Sequence, residues 1–497
     1  MSRLPSEIVS ELRNSFNSGK TRPLQYRIKQ LQNLLRMYTE KRDEIFAALW
    51  TDLHKSKGET IIMEIDILVN DIKNTLYNLY SWARPERVSR DFANILDDAY
   101  IQKEPYGVAL VIGAWNYPIQ LTLLPMQGAI AAGNCVLIKP SEVSQACAKL
   151  MAELIPQYLD PDCYKVFTGG IPEITELLKE RFDHIFFTGN SVVGKVIHAA
   201  ATRHLTPVTL ELGGKSPCYI DDSVNYKVAA KRIMWGKVIN AGQTCVAPDY
   251  LLCTKEVEQK FVNAAKEVLL QFFGDNPKEA ESYGRIITDR HVQRLQRLIQ
   301  SGNVAVGGEV NAAERFVAPT ILTGVTQNDP IMREEVFGPI LPIINVSSCH
   351  EAINFINQQE KPLTLYIFSN IKSDVELLVK NTSSGGICIN DTIIHLAVDS
   401  LPFGGVGYSG MGSYHGKFSF DTFSHKKAVL HKNLGALGEL LGAPKYPPLT
   451  PGKVRYLHFM LAKRPWFNAI KCRAHVFAFI LGIASFYLWN NYGKQLL

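Results

Sequence analysis

Residues 106–118, YGVALVIGAWNYP, decide the fold of this chain, because the apolar run Val108–Ile112 leads directly into a loop with a glycine, aromatic rings and an amide. Three more short apolar runs, Val136–Ile138, Tyr164–Phe167 and His184–Phe187, follow at intervals long enough for a helix. Strands that alternate with helices are typical of a parallel sheet with crossover connections. The sequence therefore predicts an α/β fold.

The segments on both sides extend this pattern. Before it, apolar stripes from Ile8 to Phe16, Ile28 to Tyr38 and Ile61 to Leu79 predict three helices. After it, a second alternation of apolar runs and helix-length segments, from Leu212 to about Ile389, predicts a second α/β domain. A glycine-dense loop at 402–412 and a proline-rich hinge at 444–451 complete the expected organisation.

The composition excludes several classes of protein. Hydrophobic residues make up 46% of the chain and charged residues 20%, as in soluble globular proteins. The net charge is +6, but the eight Lys and Arg residues from Pro444 onward have no acidic counterpart, so the rest of the chain is slightly acidic and shows no nucleic-acid-binding signature. The nine cysteines are scattered and form no C-x-x-C pair, which argues for a reducing compartment and against disulfides or a metal site.

The C-terminus contains an apolar stretch without charged residues, Ala474–Trp489. Sixteen helical residues reach about 24 Å at ~1.5 Å per residue, which is short of the ~30 Å hydrocarbon core, but flanking basic stems and Tyr492 can extend the span. Because most flanking basic residues precede the stretch, we expect a membrane anchor at 474–492 with the body of the protein in the cytosol. A buried C-terminal helix is the alternative, although the stretch has no polar face.

Three loops are candidates for a nucleotide site, because parallel sheets bind ligands at the carboxyl ends of their strands. The first loop is Gly113–Pro118, and the second, Lys139–Glu142, offers a lysine and a carboxylate that suit ribose hydroxyls. In the third, Thr188–Lys195, a helix start with two glycines lets the backbone approach a pyrophosphate. This third loop matches a P-loop except that Val196 replaces the magnesium-binding Ser or Thr, and G-x-G-x-x-G is absent, so neither an ATPase nor the usual Rossmann fingerprint is indicated.

Two short motifs offer the groups that acyl transfer needs. The motif at 211–217, ELGGKSP, places Glu211 at the end of an apolar run, and the motif at 242–245, GQTC, places Cys245 34 residues later. Burial at the end of a strand would raise the pKa of Glu211 toward that of a general base. We therefore interpret Cys245 as a nucleophile and Glu211 as a base, whereas cysteines inside strand-like runs, such as Cys135, are expected to be inert.

Two later segments can be interpreted in two ways. Glu334–Pro339 is either a turn after a helix or a carboxylate and an aromatic ring that contact the ribose and ring of a nicotinamide. Pro402–Gly410 is either part of the same site or only a flexible loop. The residues alone do not decide between these interpretations.

Together the motifs resemble the aldehyde dehydrogenase superfamily, in the same order and approximate spacing, over roughly residues 5–430. Gly242–Tyr250, Ser413–Lys417 and the short N-terminus resemble its class 3 branch, and the apolar tail resembles the microsomal fatty aldehyde dehydrogenases of that branch. The resemblance implies an enzyme that oxidises medium- or long-chain aliphatic aldehydes to carboxylic acids. It also implies NAD as the cofactor, with NADP as the alternative.

The resemblance assigns the catalytic roles. Cys245 would attack the aldehyde to give a thiohemiacetal, and the Asn116 amide with the Cys245 N–H would form the oxyanion hole. Hydride transfer would leave a thioester, and Glu211 would activate the water that hydrolyses it. Glu335 would share this duty or hold the nicotinamide ribose.

It also assigns residues to the cofactor and the substrate. The cofactor-binding set implied by the family is Lys139, Glu142, Gly189, Asn190, Ser191, Gly194, Glu335 and Phe337. Lys139 and Glu142 would hold the adenosine ribose. Tyr117, Trp235 and Thr392 would line the aldehyde tunnel.

The implied organisation has a Rossmann-like NAD(P)-binding domain at 1–83 and 104–210 and a catalytic domain at 211–390. A small β bridging domain at 84–103 and 391–425 would join two subunits into a homodimer. Residues 444–467 would form an amphipathic helix that caps the tunnel. The anchor at 474–492 would place the enzyme on the cytosolic face of the endoplasmic reticulum, with the peroxisomal or another organelle membrane as the alternative.

Two other interpretations stay open. A CoA-acylating or semialdehyde dehydrogenase would share the fold but needs a CoA pocket or a fixed anion site, and the sequence indicates neither. A catalytically silent structural protein would have lost the nucleophile or the base, and both are present.

Overall fold

The structure, a computed structural model, describes residues 4–464, 477–479, 481–483 and 485. Its α-helices within these residues are α1 (Pro5–Asn17), α2 (Leu24–Glu40), α3 (Arg42–Leu53), α4 (Lys57–Thr60), α5 (Asp66–Ala83), α6 (Gln120–Ala132), α7 (Gln145–Tyr158), α8 (Ile171–Leu177), α9 (Ser191–Ala201), α10 (Tyr226–Val238), α11 (Lys255–Phe273), α12 (Asp289–Leu298), α13 (Pro330–Arg333), α14 (Cys349–Asn357), α15 (Lys372–Asn381), α16 (Gly416–Thr422), α17 (Ala436–Gly442) and α18 (Pro451–Leu461).

The strands of the same residues are β1 (Glu86–Arg87), β2 (Asp98–Pro105), β3 (Val108–Ile112), β4 (Cys135–Lys139), β5 (Tyr164–Val166), β6 (His184–Thr188), β7 (Val208–Glu211), β8 (Pro217–Ile220), β9 (Tyr250–Cys253), β10 (Asn303–Val306), β11 (Val310–Asn311), β12 (Phe316–Val317), β13 (Thr320–Thr323), β14 (Ile340–Asn345), β15 (Thr364–Phe368), β16 (Gly386–Ile389), β17 (Gly410–Met411) and β18 (Ser424–His431).

The first sheet has the order β17-β7-β6-β3-β4-β5, and its neighbours from β7 to β5 pair in parallel. Strands β3, β4 and β6 are fully buried, which explains why they read as continuous apolar runs instead of alternating ones. All four predicted strands lie within one residue of their expected bounds, so the parallel α/β fold is confirmed. The short strand β17 closes one edge antiparallel to β7.

The second sheet has the order β10-β13-β14-β9-β8-β15-β16. Its pairs from β13 to β16 are parallel, and only the edge strand β10 runs antiparallel to its neighbour. Helices α10, α11, α12 and α14 bury apolar side chains in the core of this sheet. The second predicted alternation of strands and helices therefore forms a second, mostly parallel α/β sheet.

The N-terminal helices depart from the expectation in two places. Helix α3 was not predicted, although its buried Ile45, Leu49 and Leu53 recur every fourth residue. The third expected stripe is not one α-helix, because Ile61–Ile65 forms a π-helical turn before α5. A π-helical turn still buries apolar residues but changes their spacing only slightly, so the apolar pattern from Ile61 to Leu79 did not predict it.

The chain divides into two compact units that differ from the predicted domains. The first combines Met1–Trp82 with Pro105–Ser424, and the second combines Ala83–Glu104 with His425–Leu497. Residues 391–424, which we assigned to the bridging domain, therefore belong to the first unit. The second unit contains the sheet β1-β2-β18 and helices α17 and α18. A bridging role for this sheet stays a prediction.

The predicted C-terminal helices fall partly outside the described residues. Helix α18 forms within the expected 444–467 segment, and its Val454, Phe459 and Leu461 are exposed. Of the expected anchor at 474–492, only residues 477–479, 481–483 and 485 are described, and the rest lies outside the described residues. Among the helices that the structure describes, none has the length and apolar character needed to cross a membrane.

Candidate active site

A cavity of about 540 Å³ opens at the carboxyl ends of β3, β4, β6 and β7. Many of the predicted site residues line it together: Asn116, Lys139, Glu142, Gly189, Asn190, Glu211, Cys245, Glu335 and Phe337. Residues more than 200 positions apart in the sequence thus share one site. Its position is where parallel α/β sheets bind ligands.

One end of the cavity suits a nucleotide. Lys139 and Glu142 form an ion pair there. Ile171, Val193 and Val196 are exposed apolar side chains that line the same end and can cover a flat base. Polar groups for ribose hydroxyls therefore lie beside an apolar wall.

The start of α9 closes this end. The side chain of Asn190 caps the helix by accepting a hydrogen bond from the Val193 N–H at 2.9 Å. Gly194 packs on Leu212, and a Cβ atom at this glycine would lie 2.8 Å from a Leu212 methyl carbon. Asn190, Ser191 and Gly194 thus form a helix N-terminus beside the cavity, where backbone N–H groups and the helix dipole favour an anion.

The loop that carries Cys245 has an unusual backbone. Asn240 and Ala241 have φ values of 52° and 51°, and Gly242 has a φ of 75°. Left-handed conformations are unfavourable for residues with a side chain, so Asn240 and Ala241 in succession need external support. A Cβ atom at Gly242 would also clash with the backbone of Gly338. Glycine is therefore required at position 242.

The side chains of Gln243 and Thr244 stabilise part of this backbone conformation. The amide of Gln243 donates to the carbonyls of Asn240 and Arg285, both at 3.0 Å, and accepts from the Ile287 N–H at 2.9 Å. The Thr244 hydroxyl bonds the Tyr117 hydroxyl at 2.7 Å. Gln243 and Thr244 are thus occupied with holding the loop.

Cys245 differs from the other cysteines. It is half-buried and lines the cavity, whereas the other seven cysteines that the structure describes are buried. Burial raises the pKa of its thiol to about 12, and the negative charges of Glu335 and Glu211 add to the effect. The thiol therefore lies close to both carboxylates and is protonated in the protein alone.

Glu211 ends strand β7 between β6 and β17 and is 3% exposed. Neither of its carboxylate oxygens has a hydrogen-bond partner among the residues that the structure describes. Burial raises the pKa of Glu211 well above its usual value. A carboxyl group without partners beside a cavity is available to a water molecule or a thiol.

Glu335 is held differently. Burial and the charge of Asp249 raise its pKa to about 8, although a hydrogen bond from the Gly214 backbone and the cations Lys215 and Arg294 oppose the shift. Arg294 also donates to the carbonyls of Glu335 and Val336, at 3.2 and 2.7 Å. The segment that carries Glu335 is therefore fixed through its backbone.

Phe337 and Asn116 complete the site. The ring of Phe337 packs edge-on against Trp115, with 5.3 Å between ring centroids. The Asn116 side-chain amide donates to the Gln243 carbonyl at 3.0 Å, which brings it to the loop of Cys245. An amide N–H₂ has a second hydrogen, so this group can donate to another acceptor in the cavity.

A family model described as the aldehyde dehydrogenase family matches residues 6–429. The chain belongs to the aldehyde dehydrogenase family. Aldehyde dehydrogenase family 3 member A2 of Mus musculus is 50% identical over 477 residues, which cover 96% of this chain and 98% of that protein. The dimeric NADP-preferring aldehyde dehydrogenase of Rattus norvegicus is 52% identical over 449 residues, or 90% of this chain and 98% of that protein.

A solved structure agrees with this assignment. The substrate-bound AldH of Staphylococcus aureus matches this aldehyde dehydrogenase with a TM-score of 0.89 and 41% identity, over 93% of this chain and all of that one. The predicted family and its class 3 branch are thus confirmed. The protein is an enzyme that oxidises aldehydes with NAD or NADP.

Three residues predicted to line the aldehyde tunnel lie outside the lining of the described cavity. Tyr117 is buried against Thr244, and Trp235 is half-buried on α10. Thr392 is fully buried, and its hydroxyl donates to the Arg232 carbonyl at 2.6 Å. Their contact with substrate stays a prediction.

Several residues that support the site of this aldehyde dehydrogenase were not predicted from the sequence. Asp249 and Lys215 form an ion pair, and Asp249 also accepts from the Val336 N–H at 2.9 Å. Lys215 lies in the motif at 211–217 and Asp249 in the segment Gly242–Tyr250. Their charged side chains, close in sequence to Glu211 and Cys245, could therefore have been recognised from the sequence. Arg294 lies on an amphipathic helix with no motif around it, and nothing in the sequence distinguishes it from a surface arginine.

Proposed function

We propose that this enzyme oxidises medium- and long-chain aliphatic aldehydes to carboxylic acids through a thiohemiacetal and a thioester on Cys245. The observation that supports the mechanism is that the thiol of Cys245, the amide of Asn116 and the carboxylates of Glu211 and Glu335 line one cavity with the nucleotide loops. A nucleophile, an oxyanion donor and a base are the groups that this reaction requires.

The first half of the reaction forms the covalent bond. Because the pKa of Cys245 is about 12, the thiol must pass its proton to a neighbouring carboxylate as its sulfur attacks the aldehyde carbon. The carbonyl oxygen then carries a negative charge, which the Asn116 amide and the Cys245 N–H stabilise. A nicotinamide held by the nucleotide loops would supply the hydride acceptor for this carbon, so that the adduct on Cys245 would become a thioester.

The second half releases the acid. Glu211 removes a proton from a water molecule, the water oxygen attacks the thioester carbon, and the carbon–sulfur bond breaks to restore the thiol. The absence of hydrogen-bond partners on Glu211, among the described residues, leaves both of its oxygens available for this step. Glu335 serves as the alternative base or as the residue that holds the nicotinamide ribose.

The cofactor roles rest on the cavity lining. Lys139 and Glu142 hold the adenosine ribose, and the carboxylate of Glu142 favours NAD because it repels a 2′-phosphate. The start of α9 at Asn190 and Ser191 receives the pyrophosphate.

The substrate class and cellular site rest on the C-terminal region. Val454 and Leu461 are both exposed and lie on one face of α18, which gives this helix an apolar strip suited to an aliphatic chain. We assign the charge-free tail at 474–492 as a membrane anchor that holds the body of the enzyme on the cytosolic face of the endoplasmic reticulum. A homodimer joined through the predicted bridging domain fits a relative that is itself named dimeric.

The deciding test follows NADH formation by absorbance with hexadecanal and with propanal, for the wild type and Cys245→Ser. We expect Cys245→Ser to lose at least about 10³-fold in turnover, because a serine hydroxyl is a weaker acid and a weaker nucleophile than a thiol. We also expect a higher wild-type kcat/KM with hexadecanal. Activity only with propanal would contradict the lipid substrate, and full activity of Cys245→Ser would contradict the mechanism.

A further inference from the structure

A buried ion pair lies behind the active site. The Nζ atom of Lys55 is 2.6 Å from Oε1 of Glu64, and both side chains are fully buried. Lys55 follows α3, and Glu64 stands in the π-helical turn before α5. Neither residue lines the cavity, and neither belongs to a motif of the catalytic or nucleotide loops.

Both partners bind the backbone of the loop that carries Asn116. Lys55 Nζ donates to the Asn116 carbonyl at 3.1 Å. The second oxygen of Glu64 accepts from the N–H groups of Ile119 and Gln120, each at 3.0 Å, at the start of α6. The pair thus fixes the peptide after Asn116 from one side and the first turn of the following helix from the other.

The same cluster reaches the nucleophile loop. The Asn240 side chain donates to the Asn116 carbonyl at 2.7 Å and to the Gln243 carbonyl at 3.1 Å. Lys55 Nζ also lies 4.0 Å from the centroid of the Tyr117 ring. Lys55 therefore contacts Asn116 and Tyr117, which in turn bond the Gln243–Thr244 segment next to the nucleophile.

We propose that the Lys55–Glu64 pair positions the oxyanion hole, by fixing the Asn116 peptide so that its side-chain amide faces the carbonyl oxygen of a substrate on Cys245. The inference rests on the proposed role of Asn116. A buried ion pair contributes little net stability, because the desolvation of both charges offsets their attraction. Three hydrogen bonds from the pair to one loop point to a positioning role. A displacement of ~1 Å at such a group reduces catalysis by as much as ~10²-fold.

The test compares kcat/KM for propanal among Asn116→Ala, the paired variant Lys55→Met/Glu64→Gln, and their combination. The paired variant removes both charges of the pair, and the neighbouring buried Glu59, whose pKa burial raises to about 7, becomes neutral once the charge of Lys55 no longer lowers that pKa. Asn116→Ala should lose about 10²–10³-fold, and the paired variant about ten-fold or more. Because both changes remove the same interaction, the combination should be no slower than Asn116→Ala alone.

A matched control is Arg13→Met/Asp183→Asn. This ion pair, at 2.7 Å, also fixes backbone, because Asp183 accepts from the Val108 N–H at 2.8 Å, but it acts at the opposite end of β3 from the cavity. It should leave kcat/KM unchanged. The cofactor Kd, measured by fluorescence, should stay at the wild-type value in both paired variants.

The outcomes separate the two proposals. Wild-type kcat/KM in Lys55→Met/Glu64→Gln, or losses that multiply in the combination, would overturn the positioning role alone. Full activity of Asn116→Ala would overturn the oxyanion-hole assignment, and the positioning role with it. If the paired variant does not fold, Lys55→Arg supplies the measurement, since it keeps the charge but changes the donor geometry. It should then lower kcat/KM for propanal in the wild-type background but not in the Asn116→Ala background.

Discussion

Cys245, Glu211 and Glu335 oppose one another electrostatically in the resting protein. Each carboxylate disfavours the thiolate, and burial disfavours every charged form. The most stable arrangement is therefore a neutral thiol beside carboxyl groups with raised pKa values. Attack on an aldehyde requires this arrangement to lose a proton, so the rate should depend on pH.

We expect kcat/KM for propanal to rise between pH 6 and pH 9. The pKa of Glu335 is about 8, so this group is neutral and unable to accept a proton below that pH, and it is a carboxylate above it. Glu335→Gln cannot titrate, and it should remove the part of the rise centred near pH 8. A rise near pH 8 that persists unchanged in Glu335→Gln would contradict this assignment.

The two candidate bases can be separated by acyl-enzyme accumulation. Glu211→Gln should give a rapid burst of NADH equal to the enzyme concentration, followed by turnover about 10²–10⁴-fold slower than the wild type, because water is no longer activated. Rapid-quench or stopped-flow absorbance measures the burst. Glu335→Gln is the matched isosteric control, and a burst in that variant instead would make Glu335 the base.

At the scale of elements, the loop at 240–242 should be sensitive to the addition of a single methyl group at Gly242. Gly242→Ala should lower kcat at least about ten-fold and reduce Tm by several degrees, because the clash with Gly338 adds to the ~1–2 kcal/mol for a left-handed residue. Gly274→Ala is the control, since Gly274 has a similar φ of 68° and open space around it. It should also reduce Tm, because a φ of 68° with a ψ of −162° suits only glycine, but leave kcat unchanged. Equal effects of the two variants on kcat would contradict the packing argument.

Some elements could be predicted from the sequence and others could not. Strands β3, β4 and β6 are buried on both faces, so their apolar runs leave little ambiguity. The left-handed Asn240 and Ala241 depend on contacts with residues that are distant in the sequence, and no local propensity indicates them. The π-helical turn at Ile61–Ile65 likewise depends on tertiary packing.

Some residues of the site could likewise be predicted from the sequence, and others could not. Cys245 and Glu211 stand in short motifs with glycines and were predicted to lie together. Lys55 lies in the loop after α3 and Glu64 in the π-helical turn, no motif marks either position, and only the fold brings them to the Asn116 loop. Contacts between backbone and a distant side chain leave no pattern in a single sequence.

At the scale of the whole molecule, the C-terminal region should affect substrate choice more than chemistry. The family model ends at residue 429, and α18 lies beyond it. Deletion of 444–497 should therefore leave kcat/KM for propanal within about two-fold while the preference for hexadecanal falls about ten-fold or more, by the loss of apolar contacts to several methylene groups. Equal losses with both aldehydes would contradict a role in chain-length selection.

The protonated state of Cys245 also affects how the enzyme meets electrophiles and oxidants in the cell. Hydrogen peroxide and iodoacetamide react with thiolates, so at neutral pH they should modify this cysteine far more slowly than one with an ordinary pKa. An aldehyde differs, because its adduct carries the negative charge on an oxygen that the Asn116 amide can bind, and this offsets the free energy of removing the thiol proton. Covalent inhibitors that carry a carbonyl should therefore be selective for this cysteine, while simple alkylating agents should react first with other thiols in the cell.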